Sequence, residues 1–223
     1  MIKIAPSIIC ADFTDLGREV ARLEAAGADL LHFDVMDGQF VPNLTLGAGI
    51  IEALRPLTDL PFSTHLMVYN PDPHIERFVI SGSNTLTVHA EASVHLLRTI
   101  QLIKSFEVQA GVALNPGSPL TLLEYVLDYV DSVTLMTVNP GFAGQPFLIP
   151  MLAKIERLRT WIDERGLSVA LVVDGGVSPD NIVQIAGAGA DVVVGGSSSV
   201  FLEGKSYQQT IGALRCKLAQ AGF

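Results

Sequence analysis

His32 and Asp34 stand two residues apart in the run LLHFD. In an extended chain that spacing puts an imidazole and a carboxylate on one face, which is half of a divalent-metal site. His65 in FSTHLMV and Asp174 in SVALVVD offer the other half. Two nitrogen and two oxygen donors suit zinc or another first-row divalent ion, and coordination would keep both histidines neutral. Any one of these residues alone could be a strand-end cap or a hydrogen-bonded core group; the four as a set read as a metal centre. An ion flanked by two carboxylates is equipped for proton abstraction next to a carbonyl, because it stabilises the negative charge that develops on an enediolate. Asp34 and Asp174 are then the catalytic pair. One removes the proton as general base and the other, protonated, returns it from the far side, which inverts a stereocentre.

An anion grip is expected beside them. The runs NPGFAGQ, DGGVS and GGSSS each combine glycines with the approach to a helix. Glycine lets the backbone come close to an anion, and free amides and a helix N-terminus attract its charge. Gly175, Gly176, Gly196 and Ser197 are the expected phosphate donors, with Gly141, Phe142, Ala143 and Gly144 closing from the side. Phe142 and its glycines would suit a mobile loop over a ligand. Met36, Met67 and Met136 sit near strand ends, where thioethers could line a dry pocket, although methionine also serves as plain core filler. His89 in TVHAEA and Asn115 in ALNP read as structural groups, or as groups supporting the ligands or substrate. His74 and His95 read as surface residues on helices.

The elements that must position these residues alternate from end to end. Strands are expected at KIAPSII from Lys3, LLHFD from Leu30, FSTHLMV from Phe62, TLTVH from Thr85, QAGVAL from Gln109, SVTLMTV from Ser132, SVALVVD from Ser168 and DVVVGG from Asp191. Helices are expected at 12–26, 47–57, 74–81, 93–106, 120–127, 150–165, 179–188 and 206–221. In the first, Leu16, Val20, Leu23 and Ala26 recur at helical spacing and Gly27 supplies a stop. Eight strand–helix pairs in 223 residues fit a single (β/α)8 TIM barrel spanning 1–223. A doubly wound open sheet is the alternative. It is disfavoured because Ser7, His32, Asp34, His65, His89, Asn115, Asn139, Asp174 and Gly196 all fall at predicted C-terminal strand ends, which converge only in a barrel.

Composition narrows the partners. The chain is 49% hydrophobic and 17% charged, with net charge -9, which argues against nucleic acid or an anionic membrane as partner. Two cysteines make no disulfide framework, and the start MIKIAPSIICADF lacks the pattern of a secretory leader, so a cytoplasmic location is expected. No apolar run reaches the roughly 18 residues that span a bilayer.

With these residues in view, the chain resembles the ribulose-phosphate 3-epimerase family over nearly its whole length. The matching runs are APSIICADF, LHFDVMDGQFVPN, HLMV, VHAEA, GVALNPGSP, MTVNPGFAGQPF, VDGGV and AGADVVVGGSSSVF. The resemblance implies a (β/α)8 TIM barrel of the ribulose-phosphate-binding type that interconverts D-ribulose 5-phosphate and D-xylulose 5-phosphate at carbon 3. It implies metal ligands at His32, Asp34, His65 and Asp174, an acid/base pair at Asp34 and Asp174, and a substrate contact at Ser7, with His65 and Asp174 beside it. It places phosphate contacts on 141–144, 175–176 and 196–197, and it implies one divalent ion per chain (zinc, iron(II), manganese or cobalt) and homo-oligomers, dimers or hexamers. FAGQPF, NLTLG and GGSSSVF depart from the family's commonest forms toward those of D-allulose-6-phosphate 3-epimerases, which makes a hexulose phosphate the alternative substrate. A phosphosugar aldolase or decarboxylase is a further alternative. A Schiff-base aldolase would need a strand-end lysine, whereas Lys104, Lys154, Lys205 and Lys217 fall in helices or loops and Lys3 starts its strand. A non-catalytic sugar-phosphate binder would be expected to have lost a ligand or carboxylate, and none is missing.

Overall fold

Apolar β-branched runs of four to six residues form the strands, and in the computed structural model, which describes residues 1–223, they lie side by side in one parallel sheet. The strands are β1 Lys3–Pro6, β2 Leu31–Met36, β3 Phe62–Met67, β4 Thr85–His89, β5 Gln109–Leu114, β6 Ser132–Met136, β7 Ala170–Asp174 and β8 Val192–Gly195. Their order is β1-β8-β7-β6-β5-β4-β3-β2, and a bridge between Ser7 and His32 joins the two ends into a barrel. The helices outside it are α1 Leu16–Ala25, α2 Ala48–Leu54, α3 Ile75–Ile80, α4 Leu96–Lys104, α5 Met151–Glu164, α6 Ile182–Gly187 and α7 Tyr207–Gln220. A continuous apolar core of 48 residues fills the space between strands and helices. No helix is long and apolar enough to cross a membrane.

Strand pleating sorts the side chains. On β2, Phe33 and Val35 join the outer core while His32, Asp34 and Met36 take the other face. Register then aligns neighbours at the C-terminal mouth: Asp34 with His65, Met36 with Met67, and Met136 with Asp174.

Four expectations about helices are corrected, the simplest being the fourth helix, which starts at Leu96 and not at 93. The fifth segment, 120–127, forms two 3-10 turns, Leu120–Leu123 and Leu127–Tyr129, instead of an α-helix. Leu120, Leu123, Val126 and Tyr129 recur at intervals of three, and β-branched and aromatic residues favour α-helix weakly. The first helix starts at Leu16, not at 12, because the Asp12 carboxylate accepts from Thr14 N at 2.9 Å and from its hydroxyl at 2.7 Å, holding a turn. The seventh starts at Ile182, not at 179, because Asn181 Oδ1 accepts from Ser178 N at 2.9 Å and its amide donates to Gly176 O at 2.9 Å.

Candidate active site

Strands β2, β3 and β7 deliver His32, Asp34, His65 and Asp174 to one buried cluster whose ligand atoms all lie within 4.8 Å of one another. His32 Nε2 is 3.3 Å from Asp34 Oδ1 and 3.6 Å from Asp174 Oδ2. His65 Nδ1 is 3.2 and 3.5 Å from the same two oxygens. Bonds of about 2.0–2.2 Å around a tetrahedral centre give ligand–ligand edges of about 3.3–3.6 Å, so these four separations suit a first-row divalent ion. His32 adds an independent sign. It is 1% exposed, yet neither of its ring nitrogens has a hydrogen-bond partner, a costly state for a buried polar group unless it binds something else.

The electrostatics point the same way. Among protein groups alone, burial opposes charge on His32, but Asp34, aided by Asp174, outweighs it and pushes the imidazole up to about 10. His65 is raised against burial by hydrogen bonds to Asp174 and Asp34. Burial works to raise Asp34, yet His32 and His65 bring it well below the usual carboxylate range. Burial and the Asp34 charge push Asp174 up; the nearby imidazoles of His32 and His65 bring it down overall. Two buried carboxylates thus call for positive charge between the rings.

Local structure holds the two aspartates differently. Asp34 Oδ2 accepts the Ser7 hydroxyl at 2.5 Å, and the Asp34 carbonyl accepts Thr45 Oγ1 at 2.6 Å. The Asp174 carbonyl accepts Thr137 N at 2.8 Å and Thr137 Oγ1 at 3.0 Å.

Ser7, Asp34, Met36, Met67, Met136, Gly141, Phe142, Ala143, Gly144, Asp174, Gly175 and Gly176 all line one cavity over the cluster. Gly196 and Ser197 are not on its wall, but they adjoin it: a Cβ at Gly196 would meet Cys10 Sγ at 3.6 Å, and one at Gly144 would meet Ser197 Oγ at 3.7 Å. Met36 and Met67 are buried in a small apolar cluster with Val41, and Phe40 and Ile9 pack on it. At Gly176, φ is +63° and a Cβ would lie 2.5 Å from Phe147 N, so only glycine lets these two loops meet. The glycine loops approach helices that begin several residues later, α5 at Met151, α6 at Ile182 and α7 at Tyr207.

His89 touches the cluster from behind, its Nε2 2.8 Å from His65 Nε2, and its Nδ1 lies 3.2 Å from Glu91 Oε2. Burial pushes His89 down to about 4, while hydrogen bonds from His89 and Ser118 overcome burial and take Glu91 down to about 2. Asn115 lies further back and donates its amide to Glu91 Oε1 at 2.8 Å. Sequence reasoning missed Glu91, although its place two residues after His89 was a usable signal. It also missed Cys10, Val138 and Gln145 on the cavity wall; burial raises the Cys10 thiol to about 11, which keeps it from acting as a nucleophile. His74 and His95 are exposed, as expected, and belong neither to the cluster nor to the cavity wall.

Known proteins match this arrangement. The model of the ribulose-phosphate 3 epimerase family matches residues 3–201. A ribulose-phosphate 3-epimerase of Bacillus subtilis is 52% identical over 199 residues, covering 89% of this chain and 92% of its own. One from Escherichia coli K12 is 46% identical over 218 residues, covering 97% and 96%. Among solved structures, KGPDC from Streptococcus mutans superposes with a TM-score of 0.74 at 15% identity, covering 100% of this chain and 100% of that one, a likeness of fold alone. The family model spans most of the barrel, and the relatives share close to half of its residues from end to end: the chain belongs to the ribulose-phosphate 3-epimerase family.

Proposed function

We propose that the protein is a metal-dependent 3-epimerase interconverting D-ribulose 5-phosphate and D-xylulose 5-phosphate. The observation that carries the reading is the buried cluster of His32, Asp34, His65 and Asp174 beneath a glycine-lined cavity. The names of the relatives favour the five-carbon ketose over the hexulose phosphate.

The four cluster residues would hold zinc, iron(II), manganese or cobalt, as their mixed imidazole and carboxylate donors allow. A divalent ion there supplies Lewis acidity, polarising the C2 carbonyl and stabilising negative charge on the enediolate oxygens. One aspartate takes the C3 proton onto a carboxylate oxygen, and the C3–H electron pair moves into the C2–C3 bond as the carbonyl becomes an oxyanion. The other aspartate, arriving protonated, gives its proton to the opposite face of C3, and the carbonyl reforms. Three strand steps separate β2 from β7 around the barrel, which lets the two side chains approach a flat intermediate from different sides. Ser7 supports Asp34 and faces the sugar. Met36, Met67 and Met136 keep water from the reacting carbons. Backbone amides at 141–144, 175–176 and 196–197 hold the phosphate.

Incubation of the zinc-loaded protein with ribulose 5-phosphate in heavy water, followed by NMR, tests this. Deuterium should enter at C3 as xylulose 5-phosphate appears. No deuterium entry would remove the proposed reaction, and a higher kcat/KM for allulose 6-phosphate would overturn the choice of substrate.

A further inference from the structure

Behind the cluster, hydrogen-bonding groups run in one line from His65 to the loop after β5. The side chains of His65 and His89 are fully buried. Their rings are inclined by 24° with centroids 4.9 Å apart, and Nε2 meets Nε2 at 2.8 Å. Two nearly coplanar rings joined at their edges share one proton along that line. His89 Nδ1 points to Glu91 Oε2 at 3.2 Å. Glu91 Oε1 accepts Asn115 N at 2.8 Å and the Ser118 hydroxyl. Lys154 Nζ pins that loop from α5, donating to the carbonyls of Asn115 at 2.8 Å, Pro116 at 3.3 Å and Ser118 at 2.7 Å. Phe40 covers His89, with ring centroids 4.7 Å apart.

The directions of these bonds follow from what each group can do. An ionised Glu91 only accepts, so His89 Nδ1 must carry the proton. A neutral His89 then has a bare Nε2, which can only accept, so His65 Nε2 must donate. A neutral His65 is left with its lone pair on Nδ1, the atom that faces Asp34 and Asp174 at 3.2 and 3.5 Å. Three electron-rich groups pointed at one spot repel one another unless a cation sits between them.

We propose that His89 and Glu91 are positioning residues: a relay that fixes His65 as its Nε2–H tautomer and presents its Nδ1 lone pair to the cation. The inference rests on the metal reading of the cluster given above. It gives the run VHAEA a role that neither carboxylate chemistry nor phosphate binding assigns. Outer groups of this kind orient a ligating imidazole and raise its basicity, and their loss typically costs 10- to 100-fold in metal affinity.

Glu91→Gln is the sharpest probe because it keeps size and shape. With Asn115 N and Ser118 still donating to the side-chain oxygen, the new amide would turn its N–H toward His89 Nδ1. The relay then runs backwards and leaves a proton on His65 Nδ1. Zinc affinity of the full chain, measured by competition with a chromophoric chelator, should fall about 10- to 100-fold in Glu91→Gln and in His89→Leu. His89→Gln, which keeps an acceptor for His65 Nε2–H, should recover much of the loss. Long-range nitrogen-15 NMR of the imidazoles should show wild-type His89 protonated on Nδ1, a signature that loosened packing would not produce. Wild-type zinc affinity in a folded Glu91→Gln variant, or a wild-type His89 protonated on Nε2, would overturn the proposal. If the wild-type chain bound no zinc, the metal reading itself would fall, and the His89 tautomer would still decide whether the relay exists.

Discussion

Replacing Asp174 by asparagine separates proton transfer from everything else the residue does. The amide has nearly the same size, and the groups that hold the backbone at this position, Thr137 N at 2.8 Å and Thr137 Oγ1 at 3.0 Å, bond the carbonyl and not the carboxylate. The strand pairing of Met136 with Asp174 is also untouched, so a folded barrel is expected. An amide can still offer an oxygen between His32 and His65, but it can neither take nor return the C3 proton. General acid–base catalysis contributes about 10²- to 10⁴-fold, so kcat at saturating zinc should fall by about that factor. The decisive readout is exchange without inversion. With Asp34 alone able to move a proton, only the epimer whose C3–H faces Asp34 should trade that proton with heavy water, while the other stays inert. Asp34→Asn should show the opposite preference. The assay is NMR of each purified epimer in heavy water, with one zinc per chain verified beforehand. Exchange from both epimers, or from neither, would refute the two-base account.

Ser7→Ala removes the 2.5 Å hydrogen bond to Asp34 Oδ2. A bond to a charged group is worth about 1.5–3 kcal/mol, so kcat/KM should drop roughly 10- to 100-fold and the acid limb of its pH profile should move to higher pH; an unmoved limb would dismiss the contact. Chelation should abolish activity, and one equivalent of zinc should restore it. Because His32 without the ion is held up at about 10, it keeps a proton below that pH which a ligated imidazole must lose. Zinc affinity should therefore rise with pH between 6 and 8, by about tenfold per unit for each proton released, and a flat dependence in a competition titration would contradict it. Gly176→Ala forces a side chain into a position with φ of +63° and a Cβ 2.5 Å from Phe147 N. The backbone conformation alone costs about 1–2 kcal/mol; urea unfolding should show at least that loss, and KM for the ketose phosphate should rise more than kcat falls if the loop carries phosphate.

The strands and the four clustered residues were legible because both depend on local spacing. Period-two alternation fixes which face His32, Asp34 and Met36 share, and strand ends gather at one mouth whatever the helices do. Helix starts were less legible, since Asp12 and Asn181 redirect the backbone through their own side chains, a competition that apolar periodicity does not register. The relay was hidden for a different reason. Glu91, Ser118 and Lys154 are residue types that normally face water, and only the parallel pairing of β4 with β5 brings the loop after β5 against the loop after β4.

The two aspartates are chemically alike in sequence and become unlike in the fold. Asp34 has the Ser7 hydroxyl on one oxygen and both histidines near the other. Asp174 shares the histidines, but among its strongest influences is the negative charge of Asp34, which pushes its proton affinity upward. The Ser7 hydrogen bond favours the ionised form of Asp34, which suits it to the part of base. Ligation through Nδ1 requires His65 to be neutral, since a protonated Nδ1 has no lone pair to offer a cation. A tautomer fixed from behind by Glu91 through His89 meets this requirement: it puts the proton on Nε2 and leaves the space between the rings to a cation that accepts lone pairs.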